Sequence, residues 1–256
     1  VILLKILLTN EGYSVCTANS GRMCIEQAQK ERPDIILLGL TLPDMYGYDV
    51  AEELRKNSVT KNIPFLFLGC QDQNHYNEYF TSGFVSTKTD IVLKPFNKEE
   101  LLRKTTSLVM LSKLTRAIPE GIDIKDSKIL IVDDVETNVI LIKILLTNEG
   151  FQVITANNGE QCIEQARKEC PDIITLDVMM PGTNGFETAT ILKQDPKTQN
   201  IPIMFITALN NPIDEAKGFQ VGADDFLPKP FKRDELLIRI KRILIINKGI
   251  SKLLNS

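Results

Sequence analysis

The chain has 256 residues, a net charge of −3, 43% hydrophobic residues and 25% charged residues, which is typical of a folded globular protein of about two domains. This composition excludes a disordered chain and gives no overall attraction to nucleic acid; the locally basic stretch 229–252 is interpreted as a solvated helix face. No apolar run reaches the roughly 20 residues needed to cross a bilayer, and no signal-peptide pattern follows Val1.

The chain begins with one copy of an internal duplication. The segment VILLKILLTNEGYSVCTANSGRMCIEQAQK from Val1 matches VILIKILLTNEGFQVITANNGEQCIEQARK from Val139 at about three quarters of its positions. The match continues without a gap to Pro64 and Pro202. The second copy also has an upstream strand candidate within 128–134, whose counterpart would precede Val1. We therefore predict that the first copy lacks its opening strand in this chain; either the protein extends further upstream or that strand is unobserved.

These boundaries predict two domains. Residues 1–118 form the first copy and residues 128–248 form the second. Between them, residues 119–127 begin with the turn residues Pro119 and Gly121 and are predicted to be a linker, and residues 249–256 form a tail.

In the second copy, short apolar runs alternate with helical patterns. The predicted strands are Lys128–Val132, Gln152–Thr155, Asp172–Leu176, Ile201–Ile206 and Asp225–Leu227. The predicted helices are Glu136–Asn148, Gly159–Glu169, Gly185–Gln194, Pro212–Phe219 and Lys232–Ile246. Five β–α units in about 120 residues predict a parallel sheet with helices on both faces.

Polar residues follow the strands of the second copy. Asp133 and Asp134 end the first strand, and Asp177 ends the third. Thr207 ends the fourth strand, and Lys229 follows the fifth. Because functional groups in open parallel α/β sheets gather beyond the carboxyl ends of the strands, these residues are predicted to share one pocket.

The chemistry of this set points to phosphoryl transfer. Three carboxylates at one rim repel one another unless a cation lies among them, and oxygen ligands with spare water positions suit Mg²⁺. An ammonium and a hydroxyl complete a set able to hold a phosphoryl group, whose transfer depends mostly on positioning and on neutralising oxygens. Asp177 is the predicted nucleophile and would form an acyl phosphate.

The motifs IVDD, LDVMMPGTNGFE, ITA and ADDFLPKPF, in this order, resemble the receiver domain of two-component response regulators over residues 128–248. The resemblance implies for each copy a flavodoxin-like α/β fold, a doubly wound five-stranded parallel sheet with strand order 2-1-3-4-5. It also implies that Asp177 is the phosphoacceptor. Direct Mg²⁺ ligands would be Asp134, Asp177 and the backbone carbonyl of Met179, while Asp133 would act partly through water.

The resemblance gives roles to further residues. Thr207 and Lys229 would contact the phosphoryl group, and the peptide bond after Lys229 would be cis. Phe226 would be the switch aromatic residue whose rotamer follows the threonine. Met179 and Leu209 occupy the two positions at which the family tunes hydrolysis of the acyl phosphate.

Structural interpretations of the same residues stay open. Asp133 or Asp134 is also suited to capping the following helix, and Thr207 is a natural strand residue. Phe226 would equally serve as a core residue. His75, the one histidine, is interpreted as a surface residue rather than a phosphoryl relay.

The first copy departs from this pattern. Gly39 stands at the phosphoacceptor position, Gly69 at the threonine position and Ile91 at the switch aromatic position, while Lys94 is retained. About three extra residues fall in the region of its fourth helix. We interpret residues 1–118 as a pseudo-receiver that kept the fold for packing or dimer contacts.

The leading functional hypothesis is a phosphorelay switch in two-component signalling. A histidine kinase or phosphotransfer protein would donate a phosphoryl group to Asp177, and the fourth helix, fifth strand and fifth helix would pass the change to a partner. The chain would be no enzyme beyond self-catalysed phosphoryl acceptance and slow autodephosphorylation. Its effector, for instance a diguanylate cyclase, would lie outside this sequence.

We further expect a homodimer, with no direct binding of nucleic acid and no membrane association. Five cysteines without CxxC spacing favour a reducing cytoplasm. One alternative is a phosphatase with an Asp nucleophile, although its nucleophile would follow the first strand and a second acid would come two residues later. A nucleotide-binding domain lacks support because neither a G-x-G-x-x-G nor a P-loop motif occurs. For the first copy alone, a purely structural dimerisation scaffold is the other alternative.

Overall fold

The computed structural model describes residues 1–70, 86–118, 121–209 and 212–254. The chain divides into two compact units, residues 1–120 and 121–256. His75 and most of the segment predicted to form the fourth helix of the first copy lie outside the described residues.

The first unit contains a parallel sheet of three strands in the order β1-β2-β3. Its elements are α1 (Ile2–Asn10), α2 (Gly21–Glu31), β1 (Ile36–Gly39), α3 (Gly47–Lys56), β2 (Phe65–Cys70), β3 (Thr89–Lys94) and α4 (Lys98–Ala117). The sheet is parallel and of the expected α/β class, with three strands among the described residues of this unit.

Residues 13–18, the counterpart of the second strand of the other copy, contain no strand.

The second unit has the predicted five-stranded parallel sheet. Its elements are β4 (Lys128–Val132), α5 (Glu136–Asn148), β5 (Gln152–Ala156), α6 (Gly159–Glu169), β6 (Ile173–Leu176), α7 (Gly185–Gln194), β7 (Ile203–Thr207), α8 (Pro212–Gln220), β8 (Asp225–Pro228) and α9 (Arg233–Leu254). The order β5-β4-β6-β7-β8 is the predicted 2-1-3-4-5. Only α9 departs substantially, because no proline stops it and the predicted tail continues it to Leu254.

Two apolar clusters cover the two faces of the second sheet. Successive β4 residues alternate between them, with Leu130 in one cluster and Ile131 in the other. Ile124 packs against the second cluster, so the end of the predicted linker belongs to this unit. None of the described helices is long and apolar enough to cross a bilayer.

Strand register supports the duplication on both sides of the insertion. Phe67 on β2 pairs with Ile91 on β3, and the aligned residues Phe205 and Phe226 pair in the same way on β7 and β8. The extra residues of the first copy therefore lie between its last two strands.

Candidate functional site

The carboxyl ends of the strands bring the predicted acidic residues together. Asp133 and Asp134 follow β4, and Asp177 follows the neighbouring strand β6. One carboxylate oxygen from each of the three lies within 4.8 Å of the others. Asp133 and Asp177 are buried, whereas Asp134 is exposed, so the cluster opens to solvent on the Asp134 side.

Lys229 follows β8, the edge strand of the sheet, and its side chain reaches this cluster. Its Nζ lies 2.6 Å from Oδ2 of Asp133 and 2.5 Å from Oδ2 of Asp177. Burial on its own would lower the pKa of Lys229, but hydrogen bonds to the two carboxylates outweigh burial and leave the pKa above its usual value. The side chain is therefore a fixed ammonium between two acids.

Asp133 is held by the start of α5. The Val135 backbone N–H donates to its Oδ1 at 2.9 Å, and Asn138 Nδ2 lies 3.0 and 3.1 Å from its two oxygens. Asp133 thus orders the first turn of α5, and its Oδ2 also accepts a hydrogen bond from Lys229. Sequence reasoning missed Asn138; the one available signal was a polar residue inside an otherwise apolar helix.

Asp177 is oriented by its own loop. The Met179 backbone N–H donates to Asp177 Oδ1 at 3.1 Å, so one oxygen is held by the backbone and the other by Lys229. Gly185, at the start of α7, packs so closely on this loop that a Cβ there would collide with the Asp177 carbonyl oxygen. Gly185 is a second residue that sequence reasoning missed, and glycine is required because of this backbone approach.

Thr207 is the last residue of β7, the strand beside β6. Its side chain is fully buried, and its Oγ1 accepts a hydrogen bond from the Leu209 backbone N–H at 3.3 Å. The Thr207 carbonyl accepts from the Lys229 backbone N–H at 2.8 Å, which ties the end of β7 to the end of β8. The Lys229–Pro230 bond is cis, as predicted.

Phe226 lies in the apolar core on β8. It is 5% exposed and packs edge-on against Phe205, with ring centroids 6.3 Å apart. Phe226 is therefore a core residue, one of the two roles considered from the sequence. Its role as the switch aromatic residue stays a prediction. The neighbouring acid Asp225 is paired with Arg239 at 3.0 Å and is not part of the carboxylate cluster.

The three clustered carboxylates fit a hard divalent cation. All their donor atoms are oxygens, and exposure of Asp134 leaves room for water ligands, which Mg²⁺ retains in most protein sites. Lys229 supplies only one positive charge to this cluster, so a bound cation would relieve the remaining repulsion.

The first copy keeps the close backbone approach of this site but has glycine at two functional positions, Gly39 and Gly69. Gly47 packs on the Gly39 carbonyl oxygen just as Gly185 packs on that of Asp177. A Cβ at Gly39 would make only ordinary contacts, the nearest 3.6 Å away, so space for a side chain remains. At Gly69 the corresponding space is filled, because a Cβ would lie 3.0 Å from Leu93 Cδ2 and 3.1 Å from Leu40 Cδ1.

Comparison with known proteins gives a consistent result for both copies. The family model of the response regulator receiver domain matches residues 1–106 and 129–241. The response regulator PleD of Caulobacter vibrioides is 44% identical over 117 residues, which cover 46% of this chain and 26% of PleD. A transcriptional regulatory protein CpxR homolog of Haemophilus influenzae is 48% identical over 118 residues, covering 46% of this chain and 50% of the relative.

The matched segments thus span half or less of these curated relatives. Among solved structures, the receiver domain of a sensor histidine kinase from Pseudomonas aeruginosa, which has a magnesium ion coordinated in its active site cleft, is 29% identical. The match covers 46% of this chain and 97% of that chain, with a TM-score of 0.44.

Proposed function

The chain belongs to the response regulator receiver family of two-component signalling, in two copies, and on this basis we propose that the second copy accepts a phosphoryl group on Asp177. The observation that carries the assignment is the position of Lys229 Nζ, which contacts both Asp133 and Asp177. Among the described residues, the acid cluster and a lysine meet at Asp177, and the buried Thr207 ends the neighbouring strand β7.

Phosphoryl transfer at this site requires little covalent chemistry from the protein. An oxygen of Asp177 attacks the phosphorus of a phosphohistidine, the P–O bond forms as the P–N bond breaks, and the leaving imidazole takes up a proton. Lys229 neutralises charge on the phosphoryl oxygens, and the Thr207 hydroxyl offers them a hydrogen-bond donor. The Met179 N–H keeps the carboxylate in a fixed orientation throughout.

We assign a Mg²⁺ site to Asp134, Asp177 and the Met179 carbonyl, with Asp133 acting partly through water. When bound, the cation would neutralise carboxylate and phosphoryl oxygens together. The residues of the chain then have separate tasks: Asn138 and the Val135 N–H orient Asp133, while Lys229 stays available to the phosphoryl group.

The phosphodonor in this proposal is a histidine kinase or a histidine-containing phosphotransfer protein. Output would pass through α8, β8 and α9, because β8 carries Phe226 and leads directly into Lys229. The chain itself catalyses no turnover beyond accepting and slowly losing its phosphoryl group, and it binds no nucleic acid directly. The cysteine pattern supports a cytoplasmic location, in keeping with free thiols at Cys16, Cys24, Cys162 and Cys170.

The proposal is tested by incubating the full chain with a small phosphodonor and Mg²⁺ and measuring intact mass. We expect one phosphoryl group per chain in the wild type and none in Asp177→Asn. Asp234→Asn is the matched control, since the Asp234 side chain is 71% exposed and lies 3.5 Å from Arg233 Nη1. Labelling that survives Asp177→Asn contradicts the assignment, and repeated release of phosphate from the donor would instead indicate a phosphatase.

A further inference from the structure

Asp133 differs from the other two acids of the cluster in the number of donors that hold it. An ionised carboxylate has about four lone-pair sites for donors or cations. Oδ1 of Asp133 accepts from the Val135 backbone N–H at 2.9 Å and lies 3.0 Å from Asn138 Nδ2. Oδ2 of Asp133 lies 3.1 Å from the same Nδ2 and 2.6 Å from Lys229 Nζ. Both oxygens are therefore occupied by donors of the chain, and no lone pair is left for a cation.

Asp177 and Asp134 keep acceptor sites for a cation. Among the described residues, Oδ1 of Asp177 is held by the Met179 backbone N–H and Oδ2 by Lys229, so each oxygen has a single donor. Asp134 is exposed and accepts no hydrogen bond from the part of the chain that the structure describes. A cation that enters the cluster therefore finds ready ligands on these two acids. It can bind Asp133 directly only if one of the donors to Asp133 leaves.

Asn138 is the donor that contacts both oxygens of Asp133. Because both oxygens are acceptors, only the NH₂ end of the Asn138 amide can face them. The other two donors have different tasks, since the Val135 N–H belongs to the backbone and Lys229 also contacts Asp177. Asn138 is half-buried in the first turn of α5. Its side chain is therefore the contact whose removal would free acceptor sites on Asp133 and leave the backbone and the lysine in place.

We propose, on the basis of the Mg²⁺ site assigned under the proposed function, that Asn138 is a positioning residue that sets the selectivity of this site among divalent cations. It does so by keeping Asp133 out of direct contact with the cation. Mg²⁺ keeps several waters and needs only one or two carboxylates, whereas Ca²⁺ takes roughly six to eight oxygen ligands in flexible geometry. Two available carboxylates suit Mg²⁺, and the release of Asp133 as a third ligand would favour Ca²⁺.

Isothermal titration calorimetry of the full chain with MgCl₂ and with CaCl₂, without a phosphodonor, tests the proposal. Asn138→Leu nearly keeps the size of the side chain and removes the donor. In this variant the Kd for Ca²⁺ divided by the Kd for Mg²⁺ should fall at least about tenfold below the wild-type ratio, the scale on which residues that orient metal ligands act. Thr137→Leu is the matched control and should keep the ratio, because Thr137 lies in the same turn of α5 with an exposed side chain.

Two further variants separate positioning from a purely structural role of Asn138. Asn138→Gln keeps an NH₂ donor and should shift the ratio of the two dissociation constants less than Asn138→Leu does. Asp134→Asn should weaken the binding of both cations, because it removes a ligand of the cluster. A general loosening of α5 would weaken both cations alike and leave their ratio unchanged. The ratio therefore reports on the ligand set of the cation.

Several results would overturn the proposal. An unchanged ratio in Asn138→Leu excludes a role of Asn138 in selectivity, and so does an equal shift in Thr137→Leu. Cation binding that survives Asp134→Asn would lie outside this cluster. A wild type that binds neither cation would overturn both the selectivity proposal and the assigned Mg²⁺ site. Labelling of Asp177 is measured separately by intact mass, so a failure of the selectivity proposal is distinguishable from a failure of the phosphorylation proposal.

Discussion

Introducing a carboxylate into the first copy tests how completely that copy has lost its chemistry. In a chain that carries Asp177→Asn, we expect Gly39→Asp to take up no measurable phosphoryl group. The new side chain would fit, since the nearest atom to a Cβ at Gly39 is 3.6 Å away. The groups that would hold a phosphoryl group around the new carboxylate are missing. Gly69 offers no hydroxyl, and Leu93 and Leu40 lie where a side chain at that position would begin.

The size of the effect follows from the missing donors. Loss of one preorganised donor to a developing anion costs about 10²- to 10³-fold in rate. The first copy lacks the threonine hydroxyl, because Gly69 stands at that position. Lys94 alone remains, exposed to solvent. The initial rate should therefore be at least about 10²-fold below that of Asp177 in the wild type.

The assay is intact-mass analysis after incubation with a small phosphodonor, with and without Mg²⁺. The Asp177→Asn background ensures that any label comes from the first copy, and the same variant without Gly39→Asp sets the baseline. Metal-dependent uptake approaching one phosphoryl group per chain would refute the reasoning. It would show that the first copy lacks only its nucleophile.

Four further outcomes are expected. Met179→Asn combined with Leu209→Glu should shorten the lifetime of the acyl phosphate, because neither native side chain can orient an attacking water. Thr175→Val should raise stability by about 1 kcal/mol, since the buried Thr175 hydroxyl has no hydrogen-bond partner among the described residues. Thr188→Val should lower stability by about as much, because its hydroxyl donates to a backbone carbonyl at 2.9 Å. Burial raises the pKa of Cys162 to about 12, so at pH 8 about one thiol in 10⁴ is ionised and alkylation should await unfolding.

Each of these outcomes has a direct measurement. Decay of phosphorylated protein, followed by mass after donor removal, should be faster in the double variant than in the wild type; equal or slower decay contradicts the expectation. Thermal unfolding should separate the two threonine variants by several degrees in opposite directions, and an equal or lower midpoint for Thr175→Val counts against an unpaired hydroxyl. Iodoacetamide mapping of the native chain should find the exposed Cys16 and Cys170 modified and Cys162 intact; rapid labelling of Cys162 would contradict its burial.

Most of the fold was predictable because its signals are local. In the second copy, β4, α5, α6 and α7 have the predicted bounds, since apolar periodicity and capping residues such as Asn158 and Asn184 mark where elements start and end. The other boundaries moved by one or two residues at most, apart from α9, where the apolar pattern fades gradually and no proline ends the helix. In the first copy the described residues form three parallel strands of the same fold class.

The sequence alone determined which residues meet at the site, because strand ends in a parallel sheet are brought together by topology. It identified Asp133, Asp134, Asp177, Thr207 and Lys229, and the structure brings the three acids and the lysine into contact. Only the tertiary structure decided how they are held. Three features depend on distances between elements, which no local sequence pattern encodes. Asn138 orients Asp133, Gly185 must lack a side chain, and leucine side chains lie close to Gly69. The sequence also did not show that the outer face of α5 is exposed. An apolar helix has the same sequence pattern whether one or both of its sides are buried.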